Sequence, residues 1–352
     1  MSDPVRQLSD QLRDAVAAGR ALCIRGGGTK DFYGGAPRGE VFPTGAYRGI
    51  VDYEPTELVI TARCCTPLAE VEATLREQGQ MLAFEPPHFG PGATLGGCIA
   101  AGLSGPRRAY AGAVRDFVLG VRMLDGKGND LRFGGKVMKN VAGYDLSRLM
   151  AGSLGTLGVI LEASIKVLPL AVAEVTLRRE QSQSEAIALM NEWAGKPLPI
   201  SATCHTGSAL YVRLSGAAAA VRVAREKLGG EEIADGAAFW RAVREQEHEF
   251  FRAPEPLWRL AVKPTTPPLN LPGQQLIEWG GASRWLKSDA ERSTVREAAI
   301  FGGGHATLFR GGERTNGIFH PLAPALRKIH TRIKQSLDPA GILNPGRLYD
   351  WM

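Results

Sequence analysis

A run of glycines set into residues 140–160 constrains this chain more than any other feature. The sequence there is Asn140-Val141-Ala142-Gly143-Tyr144-Asp145-Leu146-Ser147-Arg148-Leu149-Met150-Ala151-Gly152-Ser153-Leu154-Gly155-Thr156-Leu157-Gly158-Val159-Ile160. It is too rich in glycine for an ordinary helix and too patterned for a linker. A short helical turn over 145–150 runs into Gly152, Gly155 and Gly158, then into an apolar β-branched run. Glycines at that spacing let a backbone pass close to something flat or charged.

At 352 residues the chain is long enough for two domains, with interior to spare for a large cofactor. Its net charge of +6 is mild, and acids and bases are mixed along the chain. The phosphates of a dinucleotide, an anionic substrate or an acidic partner each fit that balance. No basic run interleaved with aromatics calls for nucleic acid. No apolar stretch approaches the roughly 20 residues that span a bilayer. Residues 1–19 carry acids and lack an apolar core, so they read as an amphipathic helix on Val5, Leu8, Leu12 and Val16 rather than a secretory signal. The five cysteines are scattered, and Cys64-Cys65 is a neighbouring pair rather than C-x-x-C. The expectation is reduced thiols in a cytoplasmic protein, with no iron–sulfur or zinc framework and no metal site of its own.

Along the chain, a short strand over 21–25 ends in Gly26-Gly27-Gly28-Thr29-Lys30-Asp31. Consecutive glycines there expose several backbone N–H groups in a concavity that suits a phosphate, with Lys30 adding charge. The ordinary alternative is a plain β-turn. No Walker A loop occurs anywhere. Residues 57–62 read as a strand, Thr66 as a helix N-cap with Pro67 behind it, and 81–84 as a further strand, together an α/β unit. A Pro-Gly loop containing Gly92 then leads to Thr94, a second N-cap. It opens a helix of very small residues whose free N–H groups and positive end suit an anion. The alternative is a tight helix-packing site. A Rossmann fingerprint fails, because Leu95 stands where glycine is required. Residues 117–125 and 130–133 form a hairpin, and 157–169 one long strand. From about 171 the texture changes to an antiparallel α+β pattern, with helices over 184–193, 217–228 and 236–251. A last amphipathic helix covers 322–337, before Asp338-Pro339 and Asn344-Pro345-Gly346-Arg347.

Together the Arg25-Gly26-Gly27-Gly28 loop, Thr94-Leu95-Gly96-Gly97 with Gly105-Pro106-Arg107, the run from Lys139 to Ile160 and the tail resemble the FAD-binding fold of the vanillyl-alcohol oxidase and p-cresol methylhydroxylase (PCMH) superfamily. Ala306-Thr307-Leu308-Phe309-Arg310 and Phe319-His320-Pro321-Leu322 narrow the resemblance to the smaller FAD-binding subunits of glycolate oxidase complexes. The resemblance implies an α+β fold: a two-lobed PCMH-type FAD-binding domain over 1–170, an antiparallel α+β cap over 171–320, and a segment 321–352 returning to the FAD domain. It implies that Arg25, Gly26, Gly27, Gly28, Thr29, Lys30, Gly92, Thr94, Gly96, Gly97 and Ala100 surround the pyrophosphate. Gly105, Arg107, Arg108, Asp116, Gly143, Gly152, Gly155, Thr156, Gly158, Val159 and Ile160 are to line the adenosine and flavin sides, and Asn344 to reach the ring. Thr29 stands where covalent-flavin members often carry His, so FAD is expected to be non-covalent.

The implied activity is FAD-dependent oxidation of a CH–OH group, glycolate to glyoxylate. It is expected inside an assembly with a larger FAD-binding catalytic subunit and an iron–sulfur subunit, through which any membrane association arises. Two alternatives stay open: a structural or electron-relay FAD subunit, and a stand-alone FAD oxidase of another alcohol or lactone. Oxidising a 2-hydroxy acid needs a carboxylate clamp and a base near the hydroxyl. Arg310 is the candidate clamp, His305 or His320 the candidate base, and Tyr144 the candidate ring contact. Their ordinary alternatives are a surface ion pair, structural hydrogen bonding and a core aromatic. His305, His320 and His330 lack the metal-ligand spacing of the larger subunits' cap.

Overall fold

The computed structural model describes residues 3–135, 145–252, 254–315 and 317–352. Gly143, Tyr144 and the rest of 136–144 lie outside the described residues.

Two antiparallel sheets organise the chain. The first has five strands in the order Ile50–Glu54, Val59–Arg63, Val159–Lys166, Val118–Leu124, Asp130–Gly134. Its middle strand, Val159–Lys166, is the apolar run that follows the glycines. It pairs with a neighbour on each side, Val59 opposite Lys166 and Leu124 opposite Val159. One face carries the helices Leu68–Glu77 and Leu95–Ala101 over a core that includes Ile60, Leu68, Leu75, Ile99, Met123 and Ile165. The other face carries the N-terminal helix Pro4–Ala17, whose Val5, Leu8 and Leu12 meet Leu124, Val159 and Leu161.

The second sheet has eight strands in the order Glu231–Glu232, Ala173–Glu180, Ala209–Gly216, Ile200–His205, Gln274–Glu278, Ser283–Lys287, Leu257–Ala261, His305–Arg310. Helices Gln183–Ala194 and Ala218–Leu228 cover part of one face, and Arg292–Phe301 covers more of it. The opposite face is aromatic. Its Trp240, Phe251, Trp285 and Phe309 pack with Tyr33, Ala101, Leu103 and Leu154 from the glycine-rich part of the chain, so a shared core joins the two sheets.

The α+β reading holds in these elements, while several local expectations shift. Thr66 is not an N-cap. Its hydroxyl exchanges hydrogen bonds with the backbone of Gly49, and Pro67 takes the cap position. Of the expected strand over 81–84 only Met81 pairs, with Gln80 beside it in an antiparallel ribbon with Leu168–Pro169, and Glu85 then turns the chain at φ +48°. The expected α/β unit is thus an element of an antiparallel sheet followed by a separate ribbon. The long strand 157–169 divides into Val159–Lys166 and Leu168–Pro169. The helix read over 236–251 stops at Arg244. Gln246 adopts φ +57°, and a short 3-10 turn, Glu249–Phe251, swings Phe250 and Phe251 into the shared core. Strands Glu40–Phe42 and Ile50–Glu54 and helix Arg292–Phe301 have no counterpart in the sequence reading.

Candidate functional site

The strand Leu22–Ile24 pairs in parallel with Glu40–Phe42 and runs straight into Arg25-Gly26-Gly27-Gly28. Beyond it the chain cannot spread, because a glycine-thin contact fixes the turn. A Cβ on Gly27 would sit 1.5 Å from the Gly92 carbonyl oxygen, and one on Gly26 would sit 2.4 Å from the Thr94 hydroxyl. Gly28 adds a positive φ of +74°. Among the described residues, no acceptor is found for the backbone N–H groups of Gly26, Gly27, Gly28, Thr29 or Lys30. Five successive free donors in a tight turn make an anion nest.

This turn forms one wall of an open cleft. The second wall is the helix Leu95–Ala101, presenting Gly96, Gly97, Ala100 and Ala101. The third is Leu154, Gly155, Gly158, Val159 and Ile160, and the fourth combines Pro37, Thr44, Cys64, Cys65, Asn344 and Arg347. Three stretches far apart in sequence, 23–31, 94–101 and 154–160, therefore meet around one space.

The helix contributes differently from its sequence expectation. The Leu95 N–H donates to the Thr66 carbonyl at 3.1 Å, Gly96 to Cys64 at 2.7 Å, Gly97 to the Thr94 hydroxyl at 3.2 Å and Cys98 to the Thr94 carbonyl at 2.9 Å. Its first turn has no donors left to offer an anion. What it offers is a flat surface of small residues, held close to the sheet because a Cβ on Gly96 would strike Cys64 at 2.6 Å.

The cleft is electropositive. Lys30 is largely buried, which lowers its ammonium pKa, and its Nζ donates to the His88 carbonyl at 3.2 Å. Among the described residues no carboxylate lies within ion-pair distance of it. Arg25 is paired with Asp31 at 2.6 Å. Arg347, which sequence reasoning missed, spends its guanidinium on the carbonyls of Asp31, Gly35 and Tyr33, fixing the chain just beyond the nest. Asn344 lines the cleft, but its amide is fully used. Its oxygen accepts from Ile24 N–H at 2.5 Å and its nitrogen donates to the carbonyls of Ile24 and Leu154 at 3.2 and 2.6 Å. It stitches two walls together rather than reaching outward. Cys23, Pro37, Thr44, Cys64 and Cys65 also line the space and were not read from the sequence as site residues, whereas Asp31, Ala101 and Leu154 line it from within the glycine-rich stretches that were.

Of the residues read from the sequence, Arg25 to Lys30, Thr94, Gly96, Gly97, Ala100, Gly155, Gly158, Val159, Ile160 and Asn344 line the cleft. Gly92 lies directly behind the nest. Arg107 is elsewhere, with its guanidinium 3.4 Å from Glu85 and 3.0 Å from Glu174. Arg108 stacks over Trp279 at 4.4 Å, Asp116 accepts from the Ala113 N–H at 2.9 Å, and Gly105 lines a second cavity. Gly152 and Thr156 are packing residues of the third wall: Gly152 N–H donates to Ile99, and the buried Thr156 hydroxyl donates to Ser153.

Of the described catalytic candidates, Arg310, His305 and His320, none lines the cleft. His305 is exposed, near His320 with ring centroids 6.4 Å apart. Partial desolvation of its ring by the surrounding chain, with the charge of Arg259 and the nearby His320 adding, lowers its pKa although the residue as a whole is exposed. It lines neither cavity. His320 accepts from the Ala306 N–H at 3.4 Å, a structural role. Arg310 lies 4.5 Å over Phe32 and 5.7 Å from Phe89. A bulge, with Leu257 opposite Arg310 but Trp258 opposite Leu308, breaks strand alternation there.

A nest of five donors, an ammonium with no carboxylate partner among the described residues, and a floor of small residues lining one cleft fit a dinucleotide's diphosphate and flat ring. The comparisons agree. Residues 4–134 match the family described as FAD binding domain. The chain is 51% identical to the glycolate oxidase subunit GlcE of Escherichia coli (strain K12), over 99% of this chain and 98% of that one. It is 44% identical to the glycolate oxidase subunit GlcD of Bacillus subtilis (strain 168), over 24% of this chain and 18% of that one. Among solved structures, alkyldihydroxyacetonephosphate synthase superimposes with a TM-score of 0.66 at 16% identity, covering 97% of this chain and 76% of that one, which shows a shared fold. The chain therefore belongs to the family of the glycolate oxidase subunit GlcE, FAD-dependent oxidoreductases of the PCMH-type fold.

Proposed function

We propose that this chain is the FAD-holding subunit of an assembly that oxidises glycolate to glyoxylate. In this reading it works beside a larger FAD-binding catalytic subunit and an iron–sulfur subunit, to which electrons pass. The observation that carries the reading is the 51% identity to GlcE across 99% of this chain. No helix among the described residues is long and apolar enough to cross a membrane. Membrane contact, where it exists, is assigned to partners.

When bound, FAD supplies the hydride acceptor for the oxidation. The residues then have separate tasks. The N–H groups of Gly26 to Lys30 hold the diphosphate, and Lys30 Nζ neutralises it. The small-residue face of Leu95–Ala101 lets the cofactor lie flat. Leu154 to Ile160 and Asn344 keep the opposite wall at the right distance. Thr29 offers no nucleophile for a flavin bond of the histidyl type, so the FAD is dissociable. We divide the chain into an FAD domain over 1–170, a cap over 171–320 and a returning segment over 321–352.

A second reading, an electron-relay subunit whose FAD does not meet substrate, draws support from His305 lying outside both cavities. Purification of the tagged chain from its native host, with flavin and iron analysis, tests the first reading. The expected result is a complex with a second flavoprotein and an iron–sulfur protein, and loss of glycolate oxidation when this chain is deleted. A chain that purifies alone, with glycolate oxidation intact in its absence, would contradict it.

A further inference from the structure

The helix Pro324–Leu337 is only half covered. Its Leu326, Ile329, Ile333 and Leu337 fall on one stripe, about 80° wide at roughly 100° per residue. The C-terminal half of the stripe is used, because Ile333 and Leu337 pack on the core of the first sheet. The N-terminal half runs off that core. Leu326 is 49% exposed and Ile329 51%, and the one fully buried residue of the helix is the cation Lys334. An apolar stripe that continues past the core it packs on has room for a second surface.

The charge around that stripe has one sign. No acid occurs between Glu313 and Asp338. Arg327 stands on one flank of the stripe, with its guanidinium 5.2 Å over the Trp351 ring. Arg332 stands on the other flank, with Lys328 behind it. All three are exposed, and among the described residues none has a carboxylate within ion-pair distance. This chemistry separates the candidate occupants. A second copy of the chain, meeting through the same face about a two-fold axis, would set these cations against themselves. A membrane surface would gain only two half-exposed apolar side chains, less than an interfacial helix inserts. The narrow seam has the width that a helix presents to a groove, and its uncompensated cations call for carboxylates on the far side.

We infer that the exposed half of Pro324–Leu337 is a docking surface for a partner protein that offers an apolar groove rimmed by Asp and Glu. Leu326 and Ile329 fill the groove, and Arg327 and Arg332 meet carboxylates at its rim. The other end of the same helix is tied to the wall of the cofactor cleft, where Lys334 Nζ donates to the Thr156 carbonyl at 2.8 Å. A docked partner therefore sits on an element anchored at the cofactor cleft. That the partner is a subunit of the same assembly rests on the function proposed above, whereas its acidic, grooved surface rests on the helix alone.

Photocrosslinking of the full chain in its native host tests it, with p-benzoylphenylalanine in place of Ile329 or, as a control on another exposed helix face, of Val223. The expected result is a crosslink from position 329, and none from 223, to a second protein. Mass spectrometry should place it on a peptide rich in Asp or Glu. Arg327→Glu with Arg332→Glu should lower its yield by about tenfold or more. Flavin content and the melting temperature report folding, and Arg332→Glu alone carries the test if the double variant does not fold. No crosslink, a crosslink only to lipid or to a second copy, one to a peptide without acids, or an unchanged yield in the folded variants would overturn the inference. A charge-sensitive crosslink to an acidic protein that is neither a flavoprotein nor an iron–sulfur protein would uphold the docking surface and count against the proposed function.

Discussion

Gly27 shows how one missing atom shapes the site. Its φ is not in the left-handed region, so its backbone is open to any residue, yet a Cβ would fall 1.5 Å from a carbonyl oxygen. The neighbour is backbone and cannot swing away. Gly27→Ala should push the nest off the Gly92 loop and lower FAD retention by about tenfold or more, measured as flavin per chain after gel filtration. The triple glycine was visible in the sequence because it follows an apolar strand. Its partner was not, since contact between residues 27 and 92 depends on the fold. Asn344 illustrates the opposite case. The tail motif marked it, but sequence could not say that three backbone groups would consume its amide. The same holds for Arg107, whose charge suggested phosphate and whose position gives it Glu85 and Glu174 instead.

At the scale of elements, the last helix Pro324–Leu337 and the tail are fastened by a buried ammonium. Lys334 Nζ donates to the carbonyls of Thr156 and Leu343 at 2.8 and 3.0 Å and to Asp338 at 2.6 Å. Asp338 also accepts from the N–H groups of Ile342 and Leu343. One cation thus holds the tail against the third wall of the cleft. Lys334→Met leaves the buried Asp338 carboxylate without its cation and should cost roughly 3–5 kcal/mol, read from urea unfolding. Sequence reading found this helix by its amphipathic pattern, but a lysine on it looked like solvent-facing charge. The helix Leu95–Ala101 was legible from Thr94 and its small residues. That its first N–H groups would be spent on Cys64 and Thr66 was not, because those partners belong to a loop that reads only as the start of the next helix.

For the whole molecule, the decisive feature is the joint between the two sheets. Arg213, 3% exposed, meets Glu85 at 2.8 Å, while Arg107 reaches Glu174 at 3.0 Å, so two ion pairs cross the interface. Burial alone would raise the Glu85 pKa, but Arg213 and Arg107 outweigh it and hold the carboxyl below its usual range. Arg213→Met should therefore destabilise the chain by roughly 3 kcal/mol, most clearly above the ordinary carboxylate pKa, where Glu85 is charged. Glu278 behaves in reverse. Burial pushes its carboxyl up to about 7, with Glu85 adding to the rise while the Trp285 indole and Arg259 oppose it. A raised carboxyl stabilises the fold below its unfolded pKa, and that contribution is lost as pH rises through about 7. Unfolding free energy should then fall by a few kcal/mol between about pH 5 and pH 8, and Glu278→Gln should flatten that slope.

The central expectation is that the cleft holds FAD without a covalent bond. The direct measurement is flavin per chain in the purified protein, followed by acid precipitation to separate free from attached flavin. The prediction is stoichiometric FAD, all of it released to the supernatant, and little flavin in a folded Gly27→Ala variant. A folded wild-type chain that binds no FAD, or a Gly27→Ala chain that retains it as well as wild type, would contradict the account.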